Sequence, residues 1–146
     1  MIDTITLEGF KCFCDETVVP LSQITIMYGK NGRGKSSVAQ SLLLISQTMR
    51  VNNSLENLML VGDFVDLGTF DDVKNNKSDA DEFKISVRNT IERVDMSFSC
   101  DPSKSQLAKL NGFLVNGIDK FDIISDEEGS EEAESKSVGA TSDAIL

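Results

Sequence analysis

Apolar residues recur at two different periods along this chain, and each change of period marks an element. Ile5, Leu7 and Gly9 alternate with Thr4, Thr6 and Glu8, the two-residue repeat of a strand with one buried face. Gly9-Phe10-Lys11 interrupts the repeat, and Cys12 to Val19 reads as a second, more polar strand ending at Pro20. After a Pro20-Leu21-Ser22 turn, Ile24-Thr25-Ile26-Met27-Tyr28 reads as a buried strand. Then the period lengthens. Val38, Leu42, Ile45 and Met49 fall at i, i+4, i+7 and i+11, a continuous stripe on a helix running from Ser36 to Met49. Leu43 and Leu44 widen the stripe, so the helix is expected to be covered on more than one side. Asn52-Asn53-Ser54 closes it, and a short helical or irregular piece runs from Ser54 to Leu60.

The second half returns to the strand period. Val61 to Gly68 sets two glycines among alternating apolar and acidic residues, which predicts a strand edge with tight turns. Thr69 is placed to cap a helix over Phe70 to Lys74, with Asp71 and Asp72 near its positive end. Asn75 to Ala80 is a polar connector. Phe83 to Val87 and Val94 to Cys100 alternate cleanly, and Leu107 to Val115 is joined to Ile118 to Ile124 by Asn116-Gly117, a strong hairpin signal. Beyond Ser125 the composition collapses into Asp, Glu, Ser, Gly and Ala, so residues 126–146 are expected to form an acidic, disordered tail behind a domain of residues 1–125.

One stretch lies between the buried strand and the long helix and carries chemistry. Gly29-Lys30-Asn31-Gly32-Arg33-Gly34-Lys35-Ser36-Ser37 fits the phosphate-loop pattern G-x-x-x-x-G-K-[ST], in the strand–loop–helix setting that pattern requires. Taking a polyphosphate out of water needs many donors aimed at one point. Glycines at 29, 32 and 34 permit backbone turns closed to residues with a Cβ, so successive N–H groups can face inward. The first helical turn adds free N–H groups and the positive end of its dipole. Lys35 supplies a full charge for the β- and γ-phosphates, and Ser36 a hydroxyl ligand for Mg²⁺. These residues therefore point to a nucleoside triphosphate with Mg²⁺. The expected fold is α/β, a P-loop NTPase core with an appended antiparallel β-meander.

Composition narrows the remaining classes. At 146 residues the chain is one domain or most of one. It contains no histidine, which excludes a His-bearing zinc site and a Ser-His-Asp triad. Cys12, Cys14 and Cys100 are odd in number, and the first two read as small buried hydrophobes on a strand. The formal charge is −10, but six acids and no base lie between Asp126 and Glu134. Residues 1–125 are only mildly acidic and carry no basic stripe, so charge does not indicate autonomous nucleic-acid binding. The Met1-Ile2-Asp3 start enters a strand rather than a leader, and the longest apolar run, Leu42 to Ile45, is too short to span a bilayer. The expected location is the cytoplasm.

Ile5-Thr6-Leu7-Glu8-Gly9-Phe10-Lys11-Cys12-Phe13, followed about 20 residues later by the phosphate loop, resembles the opening of SMC/RecF-type ABC ATPases. The Leu-rich helix and Val65-Asp66-Leu67-Gly68-Thr69-Phe70 resemble more narrowly the bacterial AAA/ABC-type ATPases of DNA-repair and phage-defence systems. The resemblance implies an N-terminal ATPase lobe that binds ATP and Mg²⁺, with Asn31 near the terminal phosphate and Lys11 reaching toward the nucleotide. Lys11 equally reads as a solvated lysine on an edge strand. Gln47 lies on the wrong helix for the family's magnesium-sensing glutamine and reads as a helix-surface residue. The partners implied are a second ATPase head, as a homodimer, or a missing C-terminal lobe, with DNA suggested by resemblance alone and no membrane.

The departures from that family are equally specific. No signature motif is present, and the sole Walker B candidate, Phe121 to Glu127, is interrupted by Asp122 and Ser125. No catalytic residue is therefore assigned, and ATP hydrolysis is expected only with the missing lobe. The alternatives are a small P-loop kinase, for which Arg33, Arg50, Arg88 and Arg93 would have to supply an acceptor clamp, or a non-catalytic interaction module that retains a degenerate loop.

Overall fold

The interleaved apolar positions of the second half set the centre of the molecule. The computed structural model describes residues 1–101, 103–116 and 118–122, the last five by their sheet position alone. Strands β4 (Glu82–Asn89) and β5 (Arg93–Cys100) pair so that Phe83 faces Phe98, Ile85 faces Met96 and Val87 faces Val94. Each of these six side chains is buried. On the other side of β4, strand β1 (Ile2–Glu8) adds Leu7 opposite Ile85 and Ile5 opposite Val87. Directly opposed apolar pairs of this kind stabilise one face of a sheet and fix its register, because a one-residue slip would turn every one of them to solvent.

The sheet extends outward in the order β2-β1-β4-β5-β6-β3. Strand β2 (Thr17–Pro20) lies at one end, and β6 (Leu107–Val115) carries β3 (Asn57–Met59) at the other. β7 (Ile118–Asp122) pairs with β6 beyond β3's reach, using Gly112 to Val115 where β3 uses Leu107 to Lys109. Every described pairing is antiparallel. The meander is therefore not an appendage. The N-terminal hairpin and the later strands form a single sheet, because β1 bonds to β4 rather than to the segment that follows it.

Helix α1 (Lys35–Asn52) supplies the long apolar stripe. Its most buried positions are Val38, Ser41, Leu44, Ile45, Gln47 and Thr48, so the buried face is turned from the predicted stripe; Leu42 and Met49 are only partly buried. Polar residues are tolerated there because each finds a partner. Ser41 Oγ donates to the Val38 carbonyl at 2.7 Å, and Thr48 Oγ1 donates to Leu44 at 2.8 Å while accepting from the Met59 N–H at 2.9 Å. Gln47 is not a surface residue. Its Nε2 donates to the Met59 carbonyl at 2.7 Å, and its Oε1 accepts from the Val65 N–H at 3.0 Å. The side chain thus fastens the chain after β3 to the helix, and β3 itself replaces the irregular piece expected between Ser54 and Leu60.

Two further expectations change. Cys12 to Cys14 lies in a turn before β2, with Cys12 exposed and Cys14 half-buried, so neither thiol is a core hydrophobe. Ile24 to Tyr28 pairs with none of the described strands. Its side chains stand in solvent, with Ile24 and Ile26 83 % and Tyr28 94 % exposed. A buried strand needs neighbours on both edges and both faces, and this segment has none among the described strands. No described helix is long and apolar enough to cross a membrane.

Phe83 is the common partner of three other rings, Phe10, Phe70 and Phe98, each with its centroid 5.5 Å away. Replacing Phe83 by Ala should cost about 3–5 kcal/mol, as for other buried Phe truncations. A urea titration should show the midpoint falling with little change of slope.

Candidate functional site

Backbone conformation builds the site before any side chain does. Gly29, Gly32 and Gly34 adopt φ of 142°, 79° and 91°, the region that residues with a Cβ avoid. Gly34 is also the residue immediately before α1. A Cβ there would collide with the Phe13 ring and approach Cys12 Sγ to 2.7 Å. The turn after β1 therefore packs directly on the junction of loop and helix, and glycine is required at 34 for both reasons. Beyond it, the first N–H groups of α1 have no intrahelical acceptor and face outward.

Lys35 sits in the first turn and reaches back over the loop. Its Nζ donates to the carbonyls of Gly29 and Lys30, both at 2.8 Å. An ammonium has three donors, so these contacts curve the loop around the charge and leave one N–H for an anion. Asn31, Gly32 and Gly34 line a cavity of about 690 Å³ together with Lys35, Ser36 and Ser37. Arg33 lies outside that lining and is exposed.

The opposite wall comes from residues far away in sequence. Lys11 has φ of 53°, a conformation that a non-glycine residue keeps only where its surroundings over-determine it. Here they do. Its N–H donates to the Val73 carbonyl at 2.7 Å, its carbonyl accepts from Asn75 Nδ2 at 2.6 Å, and the Asn75 N–H donates to the Gly9 carbonyl at 2.7 Å. Lys11 is thus part of a fixed turn rather than an edge strand, and it lines the cavity with Cys12.

The same bonds hold α2 (Phe70–Val73) beside it. Asp71, Asp72, Lys74 and Asn76 complete that wall. Sequence patterning had marked the two aspartates only as residues near a helix start. No local signal shows that a four-residue helix faces a loop some 35 positions earlier.

Most of these charges are already engaged. The Thr69 N–H and Oγ1–H both donate to Asp72 Oδ2, at 2.8 and 2.7 Å. These two bonds hold the Asp72 carboxyl below the usual aspartate range, with the nearby Lys11 charge adding a smaller pull. Gly68, at φ of 80°, leaves room for that carboxylate, which a Cβ would meet at 2.6 Å. Lys74 pairs with Asp81 at 2.9 Å.

The Walker B candidate falls largely outside the described residues, Asp126 and Glu127 included. Its first part enters β7, where Asp122 pairs with Gly112 of β6 in antiparallel register.

The family model for the AAA ATPase domain matches residues 1–143 of the chain. No curated protein matches the sequence.

Gly34→Ala should lower the melting temperature by roughly 5–10 °C, since a residue with φ above zero and an obstructed Cβ typically costs a few kcal/mol; differential scanning calorimetry measures it. The Asp72 cap has a defined pH window. A carboxyl held low in the folded state stabilises fully above its unfolded value and loses that contribution as pH falls through the lowered folded value. Protection of the amides at residues 70–74, corrected for the intrinsic pH dependence of exchange, should therefore fall below about pH 4 in the wild type and show no such step in an Asp72→Asn control, which lacks the titrating carboxyl.

Proposed function

This chain belongs to the AAA ATPase domain family, and we propose that it binds ATP with Mg²⁺ in the cavity between the phosphate loop and the Lys11–α2 wall. The observation that carries the reading is the junction at Gly34. Three glycines with positive φ lead into the N-terminus of an 18-residue helix, and Lys35 is poised over the loop they form.

The residues present fit a polyphosphate. Loop and helix N–H groups, the helix dipole and the Lys35 ammonium all favour negative charge at one place. Asn31 offers an amide beside the outermost phosphate, and Lys11 a second cation from the facing wall. Ser36 would hold Mg²⁺ through its hydroxyl, the ion keeping waters and phosphate oxygens as its other ligands. The metal, when bound, would supply charge neutralisation at the phosphates.

Hydrolysis requires more than this wall supplies. Among the described residues the cavity's carboxylates are Asp71 and Asp72, and Asp72 is already committed to Thr69. We assign the lobe to the SMC/RecF type on its N-terminal resemblance, with turnover arising when a second lobe or a second head supplies a water-positioning carboxylate. The exposed Ile24 to Tyr28 segment supports that assignment, since a row of apolar side chains beside the phosphate loop suits coverage by such a partner. A role in DNA repair or anti-phage defence is carried from the same resemblance. The small-kinase alternative is disfavoured, because no arginine lines the cavity among the described residues.

Titration calorimetry with ATP and Mg²⁺ tests the reading. Lys35→Ala should weaken binding at least about tenfold, the effect of losing a hydrogen bond from a charged group, while steady-state turnover by the chain alone stays near background. Tight binding that survives Lys35→Ala would place the nucleotide elsewhere.

A further inference from the structure

The wall opposite the phosphate loop contains one charged acceptor that the fold does not use. Asp72 is bound to Thr69, and Lys74 is bound to Asp81. Asp71 is exposed, lines the same cavity, and makes no hydrogen bond or ion pair among the described residues. The two walls of the cavity therefore differ. The loop wall gathers N–H donors and the Lys35 ammonium; the facing wall carries, beside the Lys11 and Lys74 ammoniums, one uncommitted carboxylate that is repelled by phosphate and needs a donor.

A nucleoside triphosphate offers both kinds of group, phosphates for the donors and cations and hydroxyls for a free carboxylate. With its phosphates on the loop, its neutral part extends along the cavity, and the hydroxyl donors of the sugar are the groups nearest the phosphates. We infer that Asp71 accepts a hydrogen bond from a ribose hydroxyl, so that the α2 wall selects a ribonucleotide. This rests on the proposal that the cavity binds a nucleoside triphosphate. The placement of the wall makes the contact reproducible. α2 is fixed by its Phe70 ring on Phe83, by the Phe70 N–H to the Ser105 carbonyl at 2.8 Å, and by the Lys11 N–H to Val73. A carboxylate on a fixed element can select geometrically, whereas one on a loose loop would not.

The test compares the full chain with Asp71→Asn, using ATP, 2′-deoxy-ATP, 3′-deoxy-ATP and inorganic tripolyphosphate, each with Mg²⁺. Asp71→Asn should weaken ATP roughly threefold to tenfold, as for an exposed hydrogen bond to a charged group, and leave tripolyphosphate unchanged or bound slightly more tightly, since a charge that repels phosphate is removed. The wild type should bind ATP better than one of the deoxy analogues by the same factor, and the variant should not. Equal melting temperatures for the two proteins would confirm that the fold is intact. Wild-type binding of ATP that Asp71→Asn leaves unchanged overturns this assignment alone. Equal weakening of ATP and tripolyphosphate also overturns it, showing that Asp71 serves the metal ion or the phosphates instead. A wild type that binds neither ligand overturns the nucleotide reading and this assignment with it.

Discussion

The contact of Phe83 with three other rings is the interaction on which the rest of the structure depends. Phe10 belongs to the turn after β1, Phe70 to α2 and Phe98 to the adjoining strand, yet all three meet one side chain. Burying such rings removes large apolar areas from water and adds a geometric preference for offset and edge contacts. The consequence reaches the surface. Lys11 follows Phe10, and Asp71 follows Phe70, so the residues that face the phosphate loop are one position away from the rings that anchor them.

A second constraint joins this wall to the loop. Gly34 has no side chain, and the space is filled by Cys12 and Phe13. The helix N-terminus and the Lys11 turn therefore approach as closely as backbone and side chain permit. An anion held at the helix end is consequently near two walls at once. The loop itself has few contacts with the core and is exposed along most of its length, so its shape is maintained by its glycines and by the Lys35 bonds across it. A rigid wall facing a loop of this kind suits a ligand whose charge completes the loop's hydrogen bonding.

Buried polar groups show how the helix is kept in register with the sheet. Gln47 and Thr48 are adjacent and both buried, and both bond to the backbone of Met59. Leaving any of these donors or acceptors without a partner would cost more than the bond contributes, so α1 and β3 are held in one relative position. Gly62 allows the close approach, since a Cβ there would meet the Gln47 amide at 2.8 Å. Arg50 extends the same contact outward by lying over the Phe64 ring, 5.4 Å from its centroid.

The sequence by itself determined the features that are written locally. The strand alternation of β4 and β5, the pairing of β6 with β7, the Thr69 start of α2 and the glycine conformations of the phosphate loop all follow from neighbouring residues. Their causes act over a few positions: side-chain alternation, turn geometry and freedom at positive φ. Tertiary structure decided what depends on distant partners. Ile24 to Tyr28 has the composition of a buried strand, but burial requires neighbouring strands that its own residues cannot specify. Gln47 looks like a surface residue until the chain after β3 folds over it. Asp71, Lys74 and Asn76 become part of a site only because Phe70 and Phe10 converge on Phe83, which brings Phe10 against a ring 73 positions away that no local pattern encodes.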